Sequence, residues 1–135
     1  MGFLTRWDFV SATARAIEIA QLAAGSAVEK IAENVVALDV SSHMPLTDIF
    51  VIASGRNERQ VVAISDGIEQ QLLESGIKLL RREGKAGGRW ILLDFGEIVC
   101  HIMHEEDRVY YSLERIWRDC PEVPLPAVSA AKSLS

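Results

Sequence analysis

Cysteine is scarce in this chain of 135 residues: Cys100 and Cys120 are the only two. They make no CxxC or other metal-binding spacing. Without a secretory signal they do not read as a disulfide framework either. Cys100 reads as a small apolar strand residue, and Cys120 as the start of a tail. Long hydrophobic runs are missing too. No stretch reaches the roughly 18 consecutive apolar residues that a membrane span needs. Ala12-Thr13-Ala14 resembles a leader-cleavage site, but Arg6 and Asp8 interrupt the apolar region that should precede it. Met1-Gly2 is a poor myristoylation signal, because Arg6 stands where Ser or Thr is expected. A cytoplasmic protein is the expectation. Finally, there is no excess of basic charge. Lys and Arg number 14 against 19 Asp and Glu, a net charge of -5. Phosphate backbones are bound by basic residues that displace counterions. Little or no direct nucleic-acid binding is therefore expected, and docking on a basic protein is favoured.

Catalytic signatures are equally sparse. His101-x-x-His104-Glu105 approaches a zinc-protease motif, but the spacing is one residue short of His-Glu-x-x-His and the segment begins on a strand. Strand residues three apart point to opposite faces. His101 is expected to pack or bond within the sheet, and His104 to sit at the strand end. Cys100 beside His101 makes no nucleophile–base pair for the same geometric reason. Ser54-Gly55 lies between a strand and a helix, where phosphate loops occur, but lacks the patterns of a phosphate or dinucleotide loop. Ser54 reads better as a helix cap. Asp48, Asp66 and Asp94 form no metal pair. No catalytic residue, cofactor or metal ligand is assigned.

What is present is an alternation of helical and strand patterns. Ile17, Ala20, Ala24, Val28 and Ile31 give helical spacing from about Ser11 to Ala32, with Gly25 a candidate break. Strands are expected at Asn34 to Asp39 and Asp48 to Ala53. A helix should run to about Ser75, capped by Asn57 or Ser54 and ended by Gly76. Ile77 to Arg82 reads as a third strand. Trp90 to Asp94 and Ile98 to Met103 read as a hairpin turning at Gly96. A last helix is expected from Glu105 to Arg118. The fold class is α/β, a mixed sheet of about five strands flanked by helices. Residues 1–10 read as a flexible extension, 11–120 as the domain, and the Pro-, Ala- and Ser-rich 121–135 as a disordered tail.

The last helix carries an interaction signal. Val109, Tyr110, Leu113, Ile116 and Trp117 fall on one arc and should pack on the sheet. Tyr111, Glu114 and Arg118 fall on the other. Trp90 at a strand start, Phe95 in a hairpin turn and an exposed Tyr111 are candidates for one aromatic patch. Such residues anchor interfaces, although each also fits an ordinary core or a solvated helix face.

Four segments resemble the Iojap, or ribosomal silencing factor, family. They are Thr47-Asp48-Ile49-Phe50-Val51-Ile52-Ala53-Ser54-Gly55, then Glu58-Arg59-Gln60-Val61, then Trp90 through His101, and Arg108-x-x-Tyr111-x-Leu113-Glu114-Arg115-Ile116-Trp117. Glu97 departs from the commoner Asp. The resemblance spans roughly residues 11–120. It implies a nucleotidyltransferase-like fold without the catalytic residues. It also implies binding to large-subunit ribosomal protein fourteen, blocking of subunit joining, repression of translation and a role in large-subunit biogenesis. Homodimers are common in the family. By position, Trp90, Phe95, Tyr111 and Glu114 match the ribosomal-protein contacts, and Asp94 is a plausible addition. A residual nucleotidyltransferase-like enzyme and a non-ribosomal adaptor are the competing readings.

Overall fold

Thr13 opens the first helix by accepting the Ala16 amide at 3.1 Å, which satisfies one of the free N–H groups of the first turn. The structure is a computed structural model. It describes residues 11–84, 88–111, 115 and 118–134, the side chains of 109–111 and 132–134 excepted. Helix α1 spans Ala14–Glu29 and buries Ala16, Ile19, Ala20, Ala23, Ala24 and Ala27. This stripe is mostly alanine, so the helix axis can lie close to what it covers. Gly25 does not break it. The helix ends because Ile31 takes φ 63°, and the Ala32 amide then reaches back to the Ala27 carbonyl at 3.0 Å. That is a left-handed C-terminal cap, a place glycine usually fills.

Strand β1 (Glu33–Asp39) runs antiparallel to β2 (Ile49–Gly55). Asn57 then caps α2 (Glu58–Glu74), its side chain accepting the Gln60 amide at 2.8 Å. Ser54 is not the cap; it is fully buried. Gly76, at φ 81°, follows the helix end. Strand β3 is Arg81–Gly84, shorter and later than the pattern at Ile77 suggests. Its residues are all exposed, so no buried alternation marks it in the sequence. Strands β4 (Trp90–Asp94) and β5 (Ile98–His104) form the expected hairpin, with Gly96 at φ 89° in the turn. Helix α3 (Glu105–Tyr111) follows β5 without a loop.

The sheet order is β1-β2-β5-β4-β3, with β2 and β5 parallel and the other pairs antiparallel. This is the mixed five-stranded sheet flanked by helices that the sequence predicts. The main core lies between α1, α2 and one sheet face, around Ile49, Val51, Ile64, Ile68, Leu93 and Ile102. A second cluster covers the other face, with Leu38, Phe50, Ile52, Val99, Met103 and Cys120 at its centre.

The segment after Cys120 is not the disordered tail expected from its composition. Val123 donates to the Ala37 carbonyl at 2.8 Å, and Asp39 donates to the Pro121 carbonyl at 2.8 Å. The chain thus adds a short antiparallel rung to the β1 edge. Helix α4 (Pro126–Leu134) then packs on α1. Val123 is buried in the main core, and Leu125 and Val128 lean against it. Three apolar side chains landing on one existing groove hold a segment that its prolines alone would leave extended. The expected extension over residues 1–10 lies outside the described residues.

Candidate protein-binding surface

The two-residue period of β4 sorts its side chains onto two faces. Ile91 and Leu93 point into the main core beneath the helices. Trp90 and Leu92 join the second cluster, each only half-buried. Asp94 continues their row and is also half-buried. Trp90, Leu92 and Asp94 therefore form an apolar-to-acidic stripe on the sheet face away from α1 and α2.

Phe95 does not join that stripe. Its ring is 7% exposed and packed in the main core, under the helices. The single patch of Trp90 with Phe95 is thus corrected: Phe95 continues the row of Ile91 and Leu93, on the face opposite to Trp90. The turn itself is built by Asp94, whose Oδ1 accepts the Gly96 amide at 2.8 Å. The Phe95 amide donates to the Ile98 carbonyl at 3.0 Å, closing the hairpin. Arg81 approaches the other Asp94 oxygen at 3.9 Å. Of the remaining site residues, Tyr111 closes the described part of α3, but its side chain lies outside the described residues, as does Glu114.

The start of α3 is tied to β4. Arg89 reaches Asp107 at 2.7 Å and Glu106 at 3.3 Å, and comes within 3.7 Å of Glu58 on α2. The hydrogen bond that Arg89 donates to Asp107, with that to Glu106 and the charge of the two carboxylates, raises the Arg89 guanidinium above its ordinary value. The backbone adds a bond from the His104 amide to the Arg89 carbonyl at 2.7 Å. Arg108, 7% exposed, donates to the Ser54 hydroxyl at 2.9 Å. This explains the Ser-Gly at the end of β2 in structural terms. Ser54 receives a buried arginine, and a Cβ on Gly55 would fall 2.9 Å from Val61 Cγ2.

The histidines do what their strand positions predict. The His104 Nδ1 accepts the Glu106 amide at 3.1 Å at the helix start. His101 packs within the sheet, where its Nδ1 accepts the Trp90 indole N–H at 3.3 Å. Burial lowers the His101 pKa to about 4. Among the described residues, no group of three or more His, Cys, Asp or Glu is placed to hold a metal ion. Cys100 and Cys120 are free thiols on opposite sheet faces, and burial pushes the Cys100 thiol up. No helix among the described residues is long and apolar enough to cross a membrane. The sequence reading missed Leu92 and Arg89. The alternation Trp90-x-Leu92-x-Asp94 was the signal for the first. Nothing local marks the second, whose partners are far along the chain.

Comparison with known proteins agrees with this geometry. The family model described as "Ribosomal silencing factor during starvation" matches residues 13–134, the C-terminal rung and α4 included. The ribosomal silencing factor RsfS of Halalkalibacterium halodurans is 40% identical over 111 residues, covering 82% of this chain and 95% of that protein. A crystal structure of a Chromobacterium violaceum protein superposes with a TM-score of 0.72 at 32% identity, over 74% of this chain and 83% of that one. A mouse protein named "Mitochondrial assembly of ribosomal large subunit protein 1" is 32% identical over 89 residues, which cover 64% of this chain and 39% of that protein. With the family model matching residues 13–134 and a relative 40% identical over 95% of its own length, the chain belongs to the ribosomal silencing factor family.

Proposed function

We propose that this chain binds the large ribosomal subunit through ribosomal protein fourteen and sterically blocks its association with the small subunit. Translation is repressed by occupancy, with no chemical turnover. The observation that carries the reading is the half-exposed stripe of Trp90, Leu92 and Asp94 on the sheet face away from α1 and α2. An aromatic anchor beside a carboxylate suits a basic protein partner. Tyr111 and Glu114, carried by α3 and the residues after it, complete the contact surface. Phe95 supports it from beneath by holding the β4–β5 turn. The free protein is a cytoplasmic homodimer, and it also serves large-subunit biogenesis, in keeping with the name of the mouse relative.

Sucrose-gradient cosedimentation with purified subunits tests this. Wild type should travel with the large subunit and lower the joined-ribosome peak, whereas Tyr111→Ala and Trp90→Ala should do neither. Wild type remaining at the top of the gradient would exclude the silencing reading and reopen the enzyme and adaptor readings.

A further inference from the structure

His101 lies in the middle of the sheet face away from α1 and α2, among the buried residues of the second cluster. It lies opposite Leu92 in the β4–β5 register and opposite Ile52 in the β2–β5 register. Its imidazole stands between two aromatic rings. The Phe50 centroid is 4.9 Å away with the planes at 65°, and the Trp90 centroid is 6.1 Å away at 60°. Because Nδ1 accepts the Trp90 indole N–H, the ring proton of the neutral form sits on Nε2. That Nε2 is buried and has no hydrogen-bond partner among the described residues. A buried donor without an acceptor is unfavourable, and a Leu or Phe would fill the space without it. What the imidazole alone provides here is the Nδ1 acceptor for Trp90.

Trp90 is half-buried, and its hydrogen bond to Nδ1 favours one indole orientation among its rotamers. Holding one of them before binding reduces the ordering cost of association. We propose that His101 is a positioning residue for large-subunit docking, its Nδ1 fixing the Trp90 indole in the orientation presented to the partner. This rests on the reading of Trp90 as a contact residue. His101 itself is covered and acts through Trp90.

The test uses the full chain with three replacements at one position. Asn places a polar atom where Nδ1 stood, Gln places it where Nε2 stood, and Leu removes both. Affinity for purified large subunits and the Trp90 indole N–H resonance are read for each. The resonance is assigned by its loss in Trp90→Phe. His101→Leu should weaken binding about three- to tenfold, as expected for one side chain left to be ordered on association. The indole resonance should shift and exchange faster with water. His101→Asn should restore both readouts and His101→Gln neither. Should the Leu variant fail to fold, Asn against Gln decides alone. Equal binding by Asn and Gln, or wild-type binding by Leu while Trp90→Ala fails, overturns the positioning role and leaves the docking reading standing. No binding by wild type, or full binding by Trp90→Ala, overturns the contact reading and this proposal with it.

Discussion

His101 gives the domain one point of acid sensitivity. Burial holds its pKa at about 4, against 6.5 for an unburied histidine. Between those values the unfolded chain binds a proton that the folded chain does not. Stability is therefore complete above 6.5 and falls as pH drops toward about 4, by about 3 kcal/mol from this residue. Urea unfolding at pH 7.5 and near 4.5 measures it. His101→Phe should show a smaller loss than wild type, and equal losses would mean that the imidazole is not buried neutral. Ile31 is the other residue with a consequence of its own. It combines φ 63° with a β-branched side chain that is 68% exposed. A left-handed conformation costs a residue with a Cβ about 1–2 kcal/mol, part of which glycine returns through its freer unfolded chain. Ile31→Gly should raise stability by up to about 1 kcal/mol in chemical denaturation. A destabilised variant would mean that the exposed side chain contributes packing.

At the scale of elements, the C-terminal segment protects an edge. An open β1 would present unpaired backbone groups, a template for association with other strands. The rung at Pro121 to Val123 satisfies part of that edge, and α4 packs on α1 beside it, with Ala127 next to Gly25. Val123→Ala should cost about 2 kcal/mol, in line with trimming a buried aliphatic side chain. Deleting residues 121–135 should lower the melting temperature and speed hydrogen exchange at the Asp39 amide, whose acceptor is the Pro121 carbonyl. Unchanged exchange there would show that the rung is not held in solution. The Arg89 contacts work on another pair of elements. They fix the start of α3 against β4 and α2, and so set where Tyr111 leaves the sheet. These contacts are partly exposed and act on geometry more than on stability.

For the whole molecule, charge acts at long range. The net charge of -5 disfavours contact with ribosomal RNA and favours encounter with a basic protein surface. Association with large subunits should therefore slow as ionic strength rises, with less change in dissociation. Stopped-flow or surface-based kinetics at several salt concentrations would show it. An on-rate indifferent to salt would argue that the apolar stripe alone drives docking.

The sequence by itself determined the element order from α1 to α3, the hairpin with its glycine turn, and the family. Periodicity and turn chemistry are local properties, and the motif residues are contiguous in the chain. It also placed His101 within the sheet and His104 at the strand end, since strand alternation fixes both. Only the tertiary structure decided which aromatic lies on which face. Trp90 and Phe95 stand an odd number of positions apart, so strand alternation puts them on opposite faces, but only the docking of α1 and α2 makes the face of Phe95 the main core and leaves Trp90 half-buried on the other. Only the tertiary structure showed that the proline-rich tail pairs with β1 and covers α1. The groove that receives Val123, Leu125 and Val128 is assembled from distant elements, and no local pattern in residues 121–135 reports it.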